Sequence, residues 1–286
     1  MRLSLDCVPC VMRQALEASR MATQDESKQE EVLREVARLL SETSFDKTPP
    51  EIADRVHHMV REVTGTYDPY SQLKQEYNQK AMSMYPQMKE KVNNSQNRLL
   101  TAVKLAIAGN IIDFGPGHDF DLEESIDEVL EMDLTVDHFE KFEEALNNSQ
   151  TIYYLCDNTG EIIMDRILVE EMRGKDITVV VKKGPIINDA TIEDARYCKI
   201  DEIASIEEVS NGERGNGTER NSHQFITKLS EADMVISKGQ GNYEALSDAK
   251  ANIFFMLRAK CSLVARDLGV PGIKVGDTVL MNKNFI

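Results

Sequence analysis

Two hydrophobic periods divide the chain. Up to about residue 148, apolar positions recur every three or four residues, the spacing of a helix face. Val8, Met12, Ala15 and Leu16 follow this spacing behind Asp6, which is predicted as the cap, with Pro9 tolerated in the first turn. In SKQEEVLREVARLLSE the inward set is Val32, Val36, Leu39 and Leu40. The stretch TPPEIADRVHHMVREVTG opens with Thr48 and Glu51 at capping-box spacing and with Pro49 at the first helical position, and it closes at Gly65. Helices resume near Ser71, with a break or kink expected at Pro86. NRLLTAVKLAIAG is apolar on nearly every side and reads as a central helix, while DLEESIDEVLEMD and VDHFEKFEEALNN add two amphipathic ones.

From Thr151 the period shortens. TIYYLC, ITVVVK, ADMVIS, NIFFML and DTVLMN are short β-prone runs, with helical stretches at 160–174, 190–198, 219–231 and 260–269. Short apolar strands alternating with helices need cover on both faces. The pattern predicts an α/β fold: a Rossmann-like α/β/α three-layer domain with a mainly parallel sheet over 149–286, preceded by an all-helical domain over 1–148. VSNGERGNGTERNS is a polar loop inside the second part.

Composition narrows the partners. A 41% hydrophobic content supports a full core, and a net charge of -16 argues against nucleic acid, whose phosphates need basic faces. A small anionic ligand stays compatible, because a few local donors outweigh the mean field. No apolar run approaches the ~18 residues of a membrane helix. MRLSLDCVPC lacks the apolar centre of a signal peptide, and the five cysteines are an odd count. A cytoplasmic protein in a reducing compartment is expected, with no membrane association.

In open parallel sheets, ligands gather beyond the carboxyl ends of the strands. Those ends carry Asp157-Asn158-Thr159-Gly160, then Lys182-Lys183-Gly184-Pro185 with Asn188-Asp189, then Lys238-Gly239-Gln240-Gly241-Asn242-Tyr243-Glu244, then Arg258-Ala259-Lys260. Asp and Asn oxygens suit a hard divalent cation. Glycines and helix starts near 160 and 241 admit an anion, and lysines supply point charges for phosphate. Any one of these segments alone is an ordinary turn or cap. Their coincidence at four strand ends points to a metal–phosphate clamp. Neither a Walker A loop nor a G-x-G-x-x-G fingerprint is present. Cys7 and Cys10 form a CxxC near a helix start, read equally well as a metal or redox pair or as two packed small residues. His57-His58 reads as a packed or solvated pair, and Cys156 as core.

LDCVPCVMRQAL, TYDPYSQLK, AIAGNIIDFG, CDNTGEIIMD, KGPIINDAT, SKGQGNYEAL and LRAKC occur in that order. This set resembles the DUF89, or ARMT1-like damage-control phosphatase, family over nearly the whole chain. The CxxC start resembles its prokaryotic, largely archaeal subfamily. The resemblance implies a phosphatase dependent on one divalent cation (Mn²⁺, Co²⁺, Ni²⁺ or Mg²⁺) and acting on small phosphorylated metabolites, including sugar phosphates and damaged phospho-metabolites. It implies Asp157, Asn158 and Asp189 as metal ligands, with Asp194 the alternative third ligand under a shifted alignment. Lys238, Gly239, Gly241, Asn242, Glu244 and Lys260 fall on the phosphate side, with Tyr243 in the same segment and Asn110 reaching the same cleft. Asp113 or Glu161 would handle the proton, and either water or Asp157 would attack phosphorus. Two other readings stay open: a carboxyl methyltransferase using S-adenosylmethionine, and a non-catalytic metal or redox module centred on Cys7 and Cys10.

Overall fold

A computed structural model describes residues 1–109, 126–127, 130–210 and 223–285. Helices α1 (Cys7–Ala22), α2 (Glu26–Glu42) and α3 (Pro49–Thr64) pack around a small apolar core of their own that includes Ala15, Val32, Val36, Ile52 and Val56. The expected capping box between Thr48 and Glu51 forms. Asp6 does not cap α1. Its own backbone is already helical, whereas a capping residue needs an extended backbone for its side chain to fold back.

Helix α4 (Ser71–Asn94) runs through Pro86 without the expected break. Ala81 and Met84 before the proline, and Met88 and Val92 after it, anchor one face in the core. Pro86 sits on the exposed face, where water can serve the carbonyl that its missing N–H leaves free. Helix α5 (Arg98–Ala108), capped by Asn97, is buried on nearly every side, as its composition predicts. Most of the helix expected over DLEESIDEVLEMD lies outside the described residues.

The remaining elements are β1 (Val136–Asp137), α6 (Phe139–Asn148), β2 (Thr151–Leu155), α7 (Glu161–Glu171), β3 (Asp176–Lys182), α8 (Ile192–Tyr197), β4 (Ser205–Val209), α9 (His223–Glu231), β5 (Met234–Lys238), α10 (Gly239–Leu246), β6 (Ile253–Arg258), α11 (Ser262–Asp267) and β7 (Thr278–Met281). The strands make one seven-stranded sheet in the order β1-β7-β6-β5-β2-β3-β4, parallel throughout except where β6 meets β7. One face is covered by α4 to α8, which share a core with the sheet. The other face is covered by α9, α10 and α11, through Phe225, Tyr243 and Val264. The architecture is therefore the expected three-layer α/β/α. The first helices fall into two groups: α1–α3 keep a separate core, while α4–α6 pack into the sheet.

Strand order creates the place for a site. From β2 the chain moves to β3 and β4 on one side, then returns to β5 and β6 on the other. The crevice between the carboxyl ends of β2 and β5 is thus a topological switch point, where open α/β sheets bind ligands. Helix α3 packs against α10, which begins at the end of β5, and Arg61 Nη1 donates to the Pro185 carbonyl after β3 at 2.9 Å. The first bundle therefore borders the same edge.

Candidate metal and phosphate site

Asp157 and Asn158 leave β2 and meet the loop after β3 through backbone hydrogen bonds. Thr159 N–H donates to the Asn188 carbonyl at 2.8 Å, Ala190 N–H donates to the Asp157 carbonyl at 2.9 Å, and Asn158 and Asp189 form an antiparallel bridge. Two segments 30 residues apart thus place two carboxylates and a carboxamide on one short stretch of sheet edge. Just before them, Ile187 has φ 47°. A β-branched residue in the left-handed region costs on the order of 1–3 kcal/mol, held here by the surrounding hydrogen bonds.

Gly239 fixes where the Asp157 carboxylate lies. At φ +77° a Cβ on Gly239 would stand 1.8 Å from Asp157 Oδ2, inside any contact distance. The carboxylate occupies the space a side chain would take, beside the first turn of α10, whose dipole favours a negative charge. Asn158 Nδ2 donates to Asp157 Oδ2 at 2.9 Å and to Glu161 Oε2 at 3.1 Å. Its amide nitrogen therefore orients both acids.

Behind this edge lies a buried ionic cluster. The Lys238 ammonium donates to Glu161 Oε1, to Asp165 Oδ1 at 2.6 Å and to the Ala106 carbonyl at 2.7 Å. The Tyr154 hydroxyl donates to the same Asp165 oxygen at 2.7 Å. Lys238, Glu161, Asp165 and Tyr154 are all 0% exposed. One ammonium faces two carboxylates in a low dielectric, where burial favours the neutral form of each acid. Burial accordingly raises the pKa of Glu161 to about 7 against the opposing pull of Lys238, and burial also raises that of Asp165. Burial works against the charge of Lys238, but the Asp165 and Glu161 carboxylates outweigh it and keep the lysine protonated. A Cβ on Gly109 would meet Glu161 Cγ at 2.7 Å, so the end of α5 closes directly over this cluster.

Two expectations need correction. Lys238 does not reach outward toward phosphate: all three of its donors are engaged inside the protein. Asn242 is likewise committed, its Nδ2 donating to the Cys156 carbonyl at 3.0 Å and the Lys238 carbonyl at 2.8 Å, and its Oδ1 accepting from Lys182 Nζ at 2.9 Å. It ties β2, β3 and β5 together beneath the site. The physical reason is the same for both: each sits where a strand becomes a helix in full burial, and a buried polar group must find internal partners.

The other expected residues divide. Lys260 is exposed at the end of β6, and its backbone N–H donates to Gln240 Oε1 at 2.8 Å, which holds it beside α10. Gly241 is half-buried in α10, and the Glu244 carboxylate accepts from Gln240 Nε2 at 2.8 Å. Asp194 spends both oxygens on structure: Oδ1 accepts from Asn78 Nδ2 at 2.7 Å, and Oδ2 closes the capping box of α8 with Thr191. Of the two alternatives for a third ligand, Asp189 is the one bridged to Asn158. Asn110 and Asp113 lie outside the described residues. Cys7 and Cys10 lie in the first turn of α1, half-buried, with Ser4 and Gln14 as their nearest polar partners. His57 is buried, His58 exposed beside Glu62, and Cys156 buried.

The donor set fits a hard cation. Asp157, Asn158 and Asp189 supply oxygens only, from a short, hydrogen-bonded corner at the switch point. Among the described residues no three His, Cys, Asp or Glu gather as a ready cation site. A cation at this edge would therefore rest on two carboxylates and the Asn158 carboxamide, completed by water or ligand oxygens.

Asp165, Tyr154 and Asn78 escaped the sequence reading. Asp165 left one signal: EIIMDRILVE is apolar around both Glu161 and Asp165, four residues apart, so the two acids had to share a buried face. Lys74, which ends TYDPYSQLK, and Asn78 show the same spacing.

The family model described as the damage-control phosphatase ARMT1-like domain matches residues 3–274. An uncharacterised protein of Methanocaldococcus jannaschii is 35% identical, covering 99% of this chain and 96% of its own length. A protein of Archaeoglobus fulgidus named damage-control phosphatase is 37% identical, covering 98% of each chain. The crystal structure of a DUF89 family protein from Pyrococcus horikoshii superposes with a TM-score of 0.88 at 32% identity, covering 99% of each chain. None of these names speaks to a subfamily marked by Cys7 and Cys10. The chain belongs to the damage-control phosphatase ARMT1-like domain family.

Proposed function

We propose that the protein is a divalent-metal-dependent phosphomonoester hydrolase acting on small phosphorylated metabolites, either sugar phosphates or damaged phospho-metabolites. The observation that carries this reading is the bridge between Asn158 and Asp189 at the switch point, which joins Asp157, Asn158 and Asp189 beside the first turn of α10. The Archaeoglobus fulgidus relative's name supports the same class of reaction.

Asp157, Asn158 and Asp189 would hold the cation, which when bound supplies Lewis-acid stabilisation of phosphoryl oxygens. The rest falls to the chain. Gly239 leaves room for the Asp157 carboxylate, and Glu161 and Asn158 hold its orientation. The N-terminal amides of α10 and the exposed Lys260 ammonium favour the anionic end of a substrate. Gln240 keeps Lys260 next to that helix start. Lys238 acts from beneath by fixing Glu161. No helix among the described residues is long and apolar enough to cross a membrane.

The test is phosphate release by cation-stripped protein from a panel of sugar phosphates, nucleotides and cofactor phosphates. Release is expected only after adding Mn²⁺, Co²⁺, Ni²⁺ or Mg²⁺. Release of equal size in excess chelator would overturn the metal dependence, and no release under any condition would overturn the activity.

A further inference from the structure

The motif TYDPYSQLK continues into QEYN, and nothing in the proposed chemistry uses it. Two of its polar residues are nevertheless buried. Lys74 and Asn78 are 6% and 5% exposed, and they lie four residues apart on the inner face of α4. Asn78 spans the two loops that carry the candidate ligands. Its Oδ1 accepts from Gly160 N–H at 3.0 Å, two residues after Asn158, and its Nδ2 donates to Asp194 Oδ1 at 2.7 Å. Asp194 in turn accepts from Thr191 N–H at 2.8 Å and Thr191 Oγ1 at 2.7 Å, two residues after Asp189. Lys74 Nζ stands 3.5 Å from Asp194 Oδ2 and 3.4 Å from Asp68 Oδ2, completing the cluster. Gly160 has φ 80° and ψ -49°, so the turn that follows Asn158 is one only glycine adopts easily, and its N–H is directed to Asn78.

We infer that Asn78 is a positioning residue: from α4 it sets the spacing between the Asp157-Asn158 turn and the Asp189 loop, and Lys74 and Asp194 hold it in place. The inference rests on the cation reading above. Both hydrogen-bonding ends of its carboxamide are used on different loops, so no residue with a single polar atom replaces it. Asp194, buried between Asn78, Thr191 and Lys74, gains a role distinct from ligation. Groups that orient ligands without touching a metal change its affinity about 10–100-fold when removed.

The test is Mn²⁺ affinity by calorimetry, measured on full-length wild type, Asn78→Ala, Asn78→Asp and the exchange variant N78D/D194N. Cation-free melting temperature is recorded alongside as a check on folding. Asn78→Ala should bind Mn²⁺ about 10–100-fold more weakly than wild type while remaining folded. Asn78→Asp sets a carboxylate against Asp194 and should do no better. The exchange variant restores a donor and acceptors between the two positions and should recover to within a few-fold of wild type. A folded Asn78→Ala with wild-type affinity overturns the inference, as does an exchange variant no better than Asn78→Asp. If Asn78→Ala does not fold, Asn78→Ser is read in its place, and loss of folding in both overturns the inference by making the residue a plain stabiliser. Wild type that binds no Mn²⁺ removes the cation reading itself, an outcome separate from these.

Discussion

The bundle α1–α3 and the carboxyl edge of the sheet bury different kinds of side chain for different ends. The bundle interior is apolar, with His57 its one buried ionisable group among the described residues of the three helices. Burial, and secondarily Arg61, lower the pKa of His57 to about 4, so it is neutral. The sheet edge instead buries Lys238, Glu161 and Asp165 together, with one ammonium between two carboxylates. A fold that needed only stability would fill this space with apolar groups, because buried ion clusters contribute little net stability. The cluster is better understood as the support that orients Asn158 and Asp157.

This contrast can be broken at several points. The largest effect is expected at Gly239→Ala. The added Cβ would overlap the Asp157 carboxylate and make φ +77° unfavourable. Phosphatase activity should fall at least about 100-fold, matching Asp157→Ala, in a side-by-side rate assay. Activity within about tenfold of wild type would show that the position of Asp157 does not matter.

Lys238→Met comes next. It leaves two carboxylates facing each other without a cation, and denaturant unfolding should report a loss of about 3–5 kcal/mol. Ile52→Ala, in the bundle core, should cost about 2–5 kcal/mol by the same measurement while leaving Mn²⁺ affinity unchanged. A bundle variant that weakens Mn²⁺ binding would erase the distinction between the two regions.

The smallest effect is a pair of opposed pH dependences in cation-free protein. Glu161 has a folded pKa raised above its unfolded value, so the folded state holds its proton longer. Its contribution is therefore greatest below the ordinary carboxylate range and is lost as pH rises to about 7. His57 has a folded pKa depressed below its unfolded value, so its contribution is present above about 6.5 and is lost as pH falls toward about 4. Each shift corresponds to a change of up to about 3 kcal/mol across its window. In wild type the two oppose each other. Glu161→Gln should leave stability that rises with pH between about 4 and 6.5, and His57→Phe should leave stability that falls between about 4.5 and 7. Melting curves across pH decide both, and identical profiles in the two variants would contradict the assignments.

Sequence alone revealed the layers because periodicity is local. TIYYL, ITVVVK and IFFML are apolar runs bounded by turn residues, and they became β2, β3 and β6. SIEEV, now β4, was missed because an edge strand keeps two glutamates and half-exposed positions. The two residues of β1 were read as the start of a helix. The site was legible as far as chain order could take it: Asp157, Asn158 and Asp189 stand at strand ends that meet. Lys238 and Asn242 were misread because their partners come from α5, α7, β2 and β3, and those pairings exist only after folding. A lysine at a strand end looks the same in sequence whether it faces phosphate or Asp165.

The proposed activity depends most on one divalent cation held by Asp157, Asn158 and Asp189. Anomalous diffraction from a crystal soaked in Mn²⁺ tests it most directly. A single peak is expected within bonding distance of oxygens from all three residues, lost in Asp157→Ala crystals. A peak at Cys7 and Cys10 instead, or none at the β2–β5 switch point under saturating Mn²⁺, would contradict it.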